Sequence, residues 1–238
     1  MKIVECVDVQ KTYRQGRIEV HALKDINLSI EKGEFLAVAG PSGSGKTTLL
    51  NLVGGLDASD GGSIIVDGNA FDQMSQSQLA KLRLHRIGFV FQAYNLIPVL
   101  SAAENVEFVM LLQAIPSRER RERAKAILDD VGLAGKYDRR PSELSGGQQQ
   151  RVAVARALAT GPELVLADEP TGNLDPGTGR RVFELLQQLQ QERGFALVLA
   201  SHNERLAVGC NRVLRLEDGQ LRALAEAERR DYFRGDSV

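Results

Sequence analysis

The sequence is short of net charge, of cysteine and of long apolar runs, and each shortage removes a class of function. Its 30 Lys and Arg against 31 Asp and Glu leave a formal charge of −1. No bulk field therefore draws the chain onto nucleic acid or anionic lipid, and any such partner has to be recognised locally. Cys6 and Cys210 stand at opposite ends of the chain, without metal-ligand spacing or a disulfide framework. They read as isolated buried thiols of a protein in a reducing cytosol. The longest apolar stretches, such as FLAVAG at 35–40 and ALVLA at 196–200, fall far short of the ~18 residues a membrane span needs. Glu5 and Asp8 interrupt what would be the apolar centre of an export signal, so none is expected. Internal repeats, low-complexity tracts and long linkers are also missing.

What is present is a globular α/β pattern. In 238 residues, 43 % are hydrophobic, 26 % charged and 5 % aromatic, a balance that suits a sizeable buried core and excludes disordered and fibrous classes. The length suits one large domain over 1–238 with an inserted lobe. Alternation of apolar and polar residues over 3–9 and 23–30 predicts an antiparallel strand pair. The pattern then changes to short, uniformly apolar runs at 35–39, 164–167 and 196–200, as expected of strands buried on both faces of a mostly parallel sheet. Helical patterns at 46–54, 145–159 and 176–193 separate them. Over 93–160 strand signals vanish, and amphipathic helices are predicted at 101–113 and 117–131. In the second, Ala124, Ile127, Leu128 and Val131 form an apolar stripe opposite a charged face that reads as solvated. The expected organisation is an α/β core over 1–92 and 161–222 with an N-terminal antiparallel part. A helical subdomain is inserted over 93–160, and a charged helical tail runs over 223–238.

The chemistry starts at Gly40, Pro41, Ser42, Gly43, Ser44, Gly45, Lys46 and Thr47, which fit G-x-x-x-x-G-K-[ST] between an apolar strand and a helical run opening with Thr48. Glycines let successive backbone N–H groups converge on phosphate oxygens, and the helix N-terminus adds its dipole. Lys46 is expected on the β- and γ-phosphates of ATP or GTP, and the Thr47 hydroxyl on Mg²⁺, a hard ion that prefers oxygen. Two acids, Asp168 and Glu169, end the apolar run at 164–167. Asp168 is placed to hold Mg²⁺ through water and Glu169 to polarise the water that attacks the γ-phosphate. No guanine-reading N-K-x-D motif accompanies them, which weighs against a GTPase.

A second anion site is expected where Ser145, Gly146, Gly147 and Gln148 open a helix after Leu144, with backbone N–H groups and the serine hydroxyl facing outward. With this LSGGQ segment the chain resembles the ATP-binding cassette ATPases, in order and over essentially its whole length. The resemblance implies the P-loop nucleotide-hydrolase fold and a head-to-tail dimer of two copies. In it, the phosphate loop of one copy faces the signature of the other across ATP and Mg²⁺. It further implies that Tyr13 stacks on adenine and that Gln92 senses Mg²⁺ and the attacking water. On the same grounds Asn173, Leu174 and Asp175 join the two sites, and His202 contacts the γ-phosphate. Asn203 follows that histidine where many relatives have Asp, a change that leaves capping possible.

Within the superfamily, GPSGSGKTTLLNLVGGLD at 40–57, IGFVFQAYNLIPVLSAAENV at 87–106, PSELSGGQQQRVAVARAL at 141–158 and LADEPTGNLDPGTG at 166–179 are similar to the lipoprotein-release, macrolide-export and cell-division group. The resemblance implies a separate integral membrane permease with an extracytoplasmic domain. The chain then sits in the cytoplasm, peripheral on the inner face of the cell membrane, and meets the bilayer only through that permease. Apolar residues after Gln92, among them Leu96 and Ile97, are expected either to form a groove for a permease helix or, with Val99, to be lobe core. A transport ATPase is the first reading, and a mechanosignalling ATPase that activates cell-wall hydrolases the second. A DNA-repair cassette is disfavoured because the interval from Lys46 to Ser145 carries neither heptads nor a cysteine cluster.

Overall fold

A computed structural model describes residues 1–16, 18–202 and 209–224. The chain divides into two compact units, residues 1–79 with 196–238, and residues 80–195.

In the first unit the alternating N-terminal segment forms two antiparallel strands, β1 (Lys2–Gln15) and β2 (Ile18–Glu31). They outrun the predicted strands because the ladder continues through polar residues, from Lys11 opposite Leu23 to Gln15 opposite Ile18. β1 also pairs antiparallel with β4 (Gly61–Val66), and β4 with β5 (Asn69–Ala70), in the order β2-β1-β4-β5. The β1–β2 register shifts at four places, one of them between Cys6 and Val9, where Asp8 adopts φ 50°. Asn27 closes this bulge, accepting from the Asp8 N–H at 3.1 Å and donating to its carboxylate at 2.8 Å. Burial pushes the Cys6 thiol up to about 12, which leaves it unreactive.

The uniformly apolar runs become β3 (Phe35–Ala39) and β8 (Ala196–Ser201), parallel from Phe35 opposite Leu197 to Ala39 opposite Ser201. β9 (Arg212–Glu217) pairs parallel with the other edge of β3, and β10 (Gln220–Ala223) pairs antiparallel with β9. Every residue of β3 and β8 is buried, which is why neither alternates. α1 (Lys46–Val53) follows β3 and buries Leu49, Leu50, Leu52 and Val53. Ala223, predicted to open a helical tail, instead ends β10 opposite Leu214, and Leu224 is buried. The remaining tail, 225–238, and Asn203 lie outside the described residues.

In the second unit β6 (Ile87–Phe91) and β7 (Leu164–Asp168) run parallel, from Ile87 opposite Leu164 to Phe91 opposite Asp168. α2 (Gln76–Arg86) leads into β6, followed along the chain by α3 (Ala102–Leu112), α4 (Ser117–Asp130), α5 (Gly146–Leu158) and α6 (Pro176–Arg193). These last four match the predicted helices to within a residue at each end because three of them carry explicit start signals. Ser101 with Glu104, and Ser145 with Gln148, form capping boxes; Asp175 accepts from the Thr178 N–H, with Pro176 at the first helical position. α4 buries Ala124, Ile127 and Leu128 and covers its outer face with Arg118–Glu122 and Glu119–Arg123 pairs one turn apart. The fold is thus α/β, with parallel strands, an antiparallel sheet and a run of helices, as expected. β6, β7 and α6 group with the helical segment in one unit, a division that differs from the expected ranges.

The alternation and run-length patterns did not mark β4, β6, β9, β10 or α2. In β6 the reason is Gly88, which interrupts a five-residue run. A Cβ at Gly88 would lie 2.4 Å from the Ala157 carbonyl oxygen of α5, so only glycine lets this strand and helix approach. Gly88→Ala is expected to destabilise the protein by about 1–3 kcal/mol through overpacking. A urea midpoint equal to that of the parent would overturn this account.

Candidate functional site

The first unit carries the phosphate loop. β3 delivers the chain at Gly40, where a Cβ would lie 2.2 Å from the Leu216 carbonyl oxygen, and the loop turns into α1 through Gly45 at φ 104°. Gly45 stands at the N-cap of α1 and supplies no side-chain cap. Lys46 is buried, its ammonium donating to the carbonyls of Gly40 and Pro41 at 2.9 Å each. Ser44 Oγ is buried with no hydrogen-bond partner among the described residues, which fits a loop shaped for an anion. Pro41, Ser42, Gly43 and Thr47 are exposed and Thr48 half-buried.

Tyr13 stands at the outer end of β1, 41 % exposed, and donates from Oη to Asp57 Oδ2 at 2.8 Å. Lys11 donates to Asp57 Oδ1 at 2.9 Å and to the Ala58 carbonyl at 2.7 Å, with its ammonium 5.1 Å from the Tyr13 ring centroid. Burial opposes ionisation of Asp57, but the hydrogen bonds from Lys11 and Tyr13 outweigh it and hold the carboxyl below its ordinary range. Lys11 and Asp57 escaped sequence reasoning; an inward-facing lysine on the apolar face of β1 was the available signal. His202 follows directly on β8 and is exposed.

In the second unit the β6–β7 register places Phe91 opposite Asp168, so Gln92 and Glu169 leave the same edge of a parallel pair. Such C-terminal edges are where parallel sheets bind ligands. Asp168 is half-buried, and Glu169 adopts the left-handed φ of 45°, a conformation costly outside glycine. The Gln92 amide nitrogen donates to Asn173 Oδ1 at 3.1 Å, and Asn173 Nδ2 donates to the Gln92 carbonyl at 3.0 Å.

Ser145 caps α5 by accepting from the Gln148 N–H at 3.4 Å, while the Gln148 side chain accepts from the Ser145 N–H at 3.0 Å. The hydroxyl expected to face outward thus accepts one bond within its own helix start, which leaves its O–H to donate to an anion. The two signature glycines are set by neighbours: a Cβ at Gly146 would lie 2.9 Å from Tyr94 Oη, and one at Gly147 2.4 Å from Thr178 Cγ2. Leu174 packs towards Gly146, and Asp175 caps α6. The Thr178 hydroxyl and N–H hold the Asp175 carboxyl below its usual range.

Three polar residues that sequence reasoning passed over fix the segment after β6. Gln150, fully buried, donates to the Phe91 carbonyl at 3.3 Å. Arg156 donates to the carbonyls of Tyr94 and Asn95, which adopt φ 55° and 51°. Asn105, also fully buried, accepts from the Ile97 N–H and donates to the carbonyls of Ile97, Leu100 and Ser101. Leu96 and Ile97 are half-buried and Val99 is 72 % exposed, so none of the three is lobe core.

The first unit offers the Thr47 hydroxyl and the second the Gln92 amide and the Asp168 carboxylate, hard oxygen donors of the type Mg²⁺ prefers. Among the described residues no group of three or more His, Cys, Asp or Glu is placed to hold an ion by itself, and no helix is long and apolar enough to cross a membrane.

The ABC transporter family profile matches residues 23–172. The chain is 48 % identical over 215 residues to the lipoprotein-releasing system ATP-binding protein of Rhodopseudomonas palustris, covering 90 % of this chain and 95 % of that one. It is 45 % identical over 221 residues to the macrolide export ATP-binding/permease protein of Aggregatibacter actinomycetemcomitans, covering 93 % of this chain but only 34 % of that relative, so it spans about a third of the macrolide-export protein's length. A dimeric ATP-binding cassette solved in a post-hydrolysis state with ADP and phosphate superposes with a TM-score of 0.85 at 42 % identity, covering 93 % of this chain and 99 % of that one. With its phosphate loop and signature folded as described, the chain belongs to the ABC transporter family, as an ATP-hydrolysing nucleotide-binding domain.

Proposed function

We propose that two copies of this chain close head to tail on ATP and that the closure drives a membrane permease of the lipoprotein-release or macrolide-export kind. In this reading the phosphate loop of one copy faces Ser145, Gly146, Gly147 and Gln148 of the other, with Asn173, Leu174 and Asp175 between the two sites. The similarity to a dimeric cassette holding ADP and phosphate supports the arrangement. The relatives' names, a macrolide export ATP-binding/permease protein and a lipoprotein-releasing system ATP-binding protein, support a permease partner; the proposed cargo is a lipoprotein, lipid, peptide or drug-like substrate, exported or extracted. The protein then works at the cytoplasmic face of the membrane, held there through the permease.

The chemistry divides among residues already described. Tyr13 offers its exposed ring to adenine. Backbone N–H groups of the loop and the Lys46 ammonium bind the β- and γ-phosphates. Mg²⁺, when bound, neutralises charge on the phosphate oxygens, held by Thr47, Gln92 and Asp168. Glu169 accepts a proton from the attacking water, and His202 hydrogen-bonds the γ-phosphate. Most of the acceleration is positioning and charge stabilisation.

The observation that carries the coupling is a set of exposed apolar side chains in the second unit. Val99 is 72 % exposed, and Phe108, Leu111 and Leu112 of α3 are 39, 50 and 58 % exposed. Exposed apolar side chains on the segment after Gln92 and on the helix that follows it suit docking of an apolar permease helix.

Three outcomes follow. Val99→Asp should keep ATP binding and lose co-purification with the permease from solubilised membranes; undiminished co-purification places the docking surface elsewhere. Glu169→Gln should bind ATP, hydrolyse it slowly and accumulate a dimer, whereas a monomer at saturating ATP in size-exclusion chromatography counts against head-to-tail closure. Tyr13→Ala should weaken ATP binding by about 1–3 kcal/mol in calorimetry, the worth of one base stacked on an aromatic ring.

A further inference from the structure

The reciprocal amide pair in the second unit has a direction. Asn173 Nδ2 donates to the backbone carbonyl of Gln92 at 3.0 Å. A carbonyl only accepts, so the NH₂ end of Asn173 is fixed, and its Oδ1 faces the Gln92 side chain at 3.1 Å. Opposite an acceptor, Gln92 must present its own NH₂. Its Oε1 is thereby turned away from the loop.

Two features keep this orientation from relaxing by backbone movement. Gln150 holds the Phe91 carbonyl before Gln92, and Arg156 holds the Tyr94 and Asn95 carbonyls after it. What stays adjustable at Gln92 is the side chain, and that side chain lies against Gly172: a Cβ there would be 2.8 Å from Gln92 Nε2 and 3.1 Å from Cδ. Gly172 makes room for the amide and Asn173 sets which end of it points where.

We propose that Asn173 is a positioning residue that orients the Gln92 amide so that oxygen, not nitrogen, is the end offered to a divalent cation. The inference rests on the reading of Gln92 as an oxygen donor to Mg²⁺. A hard cation binds the amide oxygen and is repelled by the NH₂ end, so an amide free to flip spends part of its time turned the wrong way. Asn173 thus acts on the metal through Gln92 while touching neither metal nor nucleotide.

The test uses Mn²⁺ as the probe, read by the electron-paramagnetic-resonance signal of the free ion, with the full chain and the non-hydrolysable analogue AMP-PNP. Both residues are exposed, so the variants are expected to keep the parent's thermal midpoint. Asn173→Ala should raise the Mn²⁺ concentration for half-saturation by about three- to tenfold, the range for losing one orienting hydrogen bond. In a Gln92→Glu background the same change should cause no weakening, because a carboxylate presents oxygen at both ends. No shift in the Gln92 background, or an equal weakening in both, overturns the inference and leaves Asn173 as ordinary loop structure. Gln92→Ala serves as the reference: if it leaves Mn²⁺ binding unchanged, the reading of Gln92 fails and takes the inference with it. If it weakens Mn²⁺ binding while Asn173→Ala does not, only the inference fails.

Discussion

Everything functional in this chain hangs on parallel pairing of short strands that are buried along all or most of their length. β3 with β8, and β6 with β7, contain almost no polar side chain, so their backbone groups can be satisfied only by the ladder. Parallel pairing puts like ends together. Within the first unit it sends the phosphate loop and His202 out at the ends of β3 and β8, with Ala39 opposite Ser201. Within the second it does the same for Gln92 and the acids Asp168 and Glu169, with Phe91 opposite Asp168. Within each unit the residues nominated for catalysis do not hang on long flexible loops. Their starting points are fixed by hydrogen-bond register, which a one-residue slip would destroy.

The glycines show a second constraint, which sequence motifs record without explaining. Gly40 is there because a carbonyl of β9 sits where its Cβ would be, and Gly45 because the chain must enter α1 left-handed against the Ala22 carbonyl. Gly146 and Gly147 face the Tyr94 phenol and the Thr178 methyl, so part of the requirement for the signature glycines is set within the chain, by the packing of α5 against the segments bearing Gln92 and Asn173. A motif glycine is often credited wholly to close approach by a ligand. Here neighbouring backbone and side chains already forbid a Cβ.

The helices and the three principal motifs were legible in the sequence because each is encoded locally: a cap three residues from its partner, a proline at a helix start, an eight-residue loop between strand and helix. The α/β class was legible in the switch from alternating to uniform apolar runs. What the sequence hid is non-local or small. β6 is broken by Gly88, whose reason lies at Ala157 on another helix. β10 is four residues of mixed polarity that become a strand only because β9 offers an edge. Asp57 looks like a loop acid until Lys11 and Tyr13 arrive from β1 to share it. Asn105 and Gln150 look like ordinary helix polar residues until their complete burial shows that they hold backbone from elsewhere.

Those buried amides also decide how the segment from Gln92 to Ser101 behaves. A connection without secondary structure would normally absorb a displacement at one end before it reached the other. This one is pinned at Phe91 by Gln150, at Tyr94 and Asn95 by Arg156, and at Ile97, Leu100 and Ser101 by Asn105. Breaking the pins made by Gln150 or Asn105 leaves a fully buried polar side chain unpaired, at a cost of about 1–3 kcal/mol each, so the segment resists bending locally. At one end it carries an amide whose orientation Asn173 controls; at the other stands Val99, with the exposed apolar residues of α3. In the proposed reading, a stiff strap joining those two ends converts a small rearrangement at Gln92 into displacement of exposed apolar side chains, which a nucleotide-driven machine needs if its work is done on another protein.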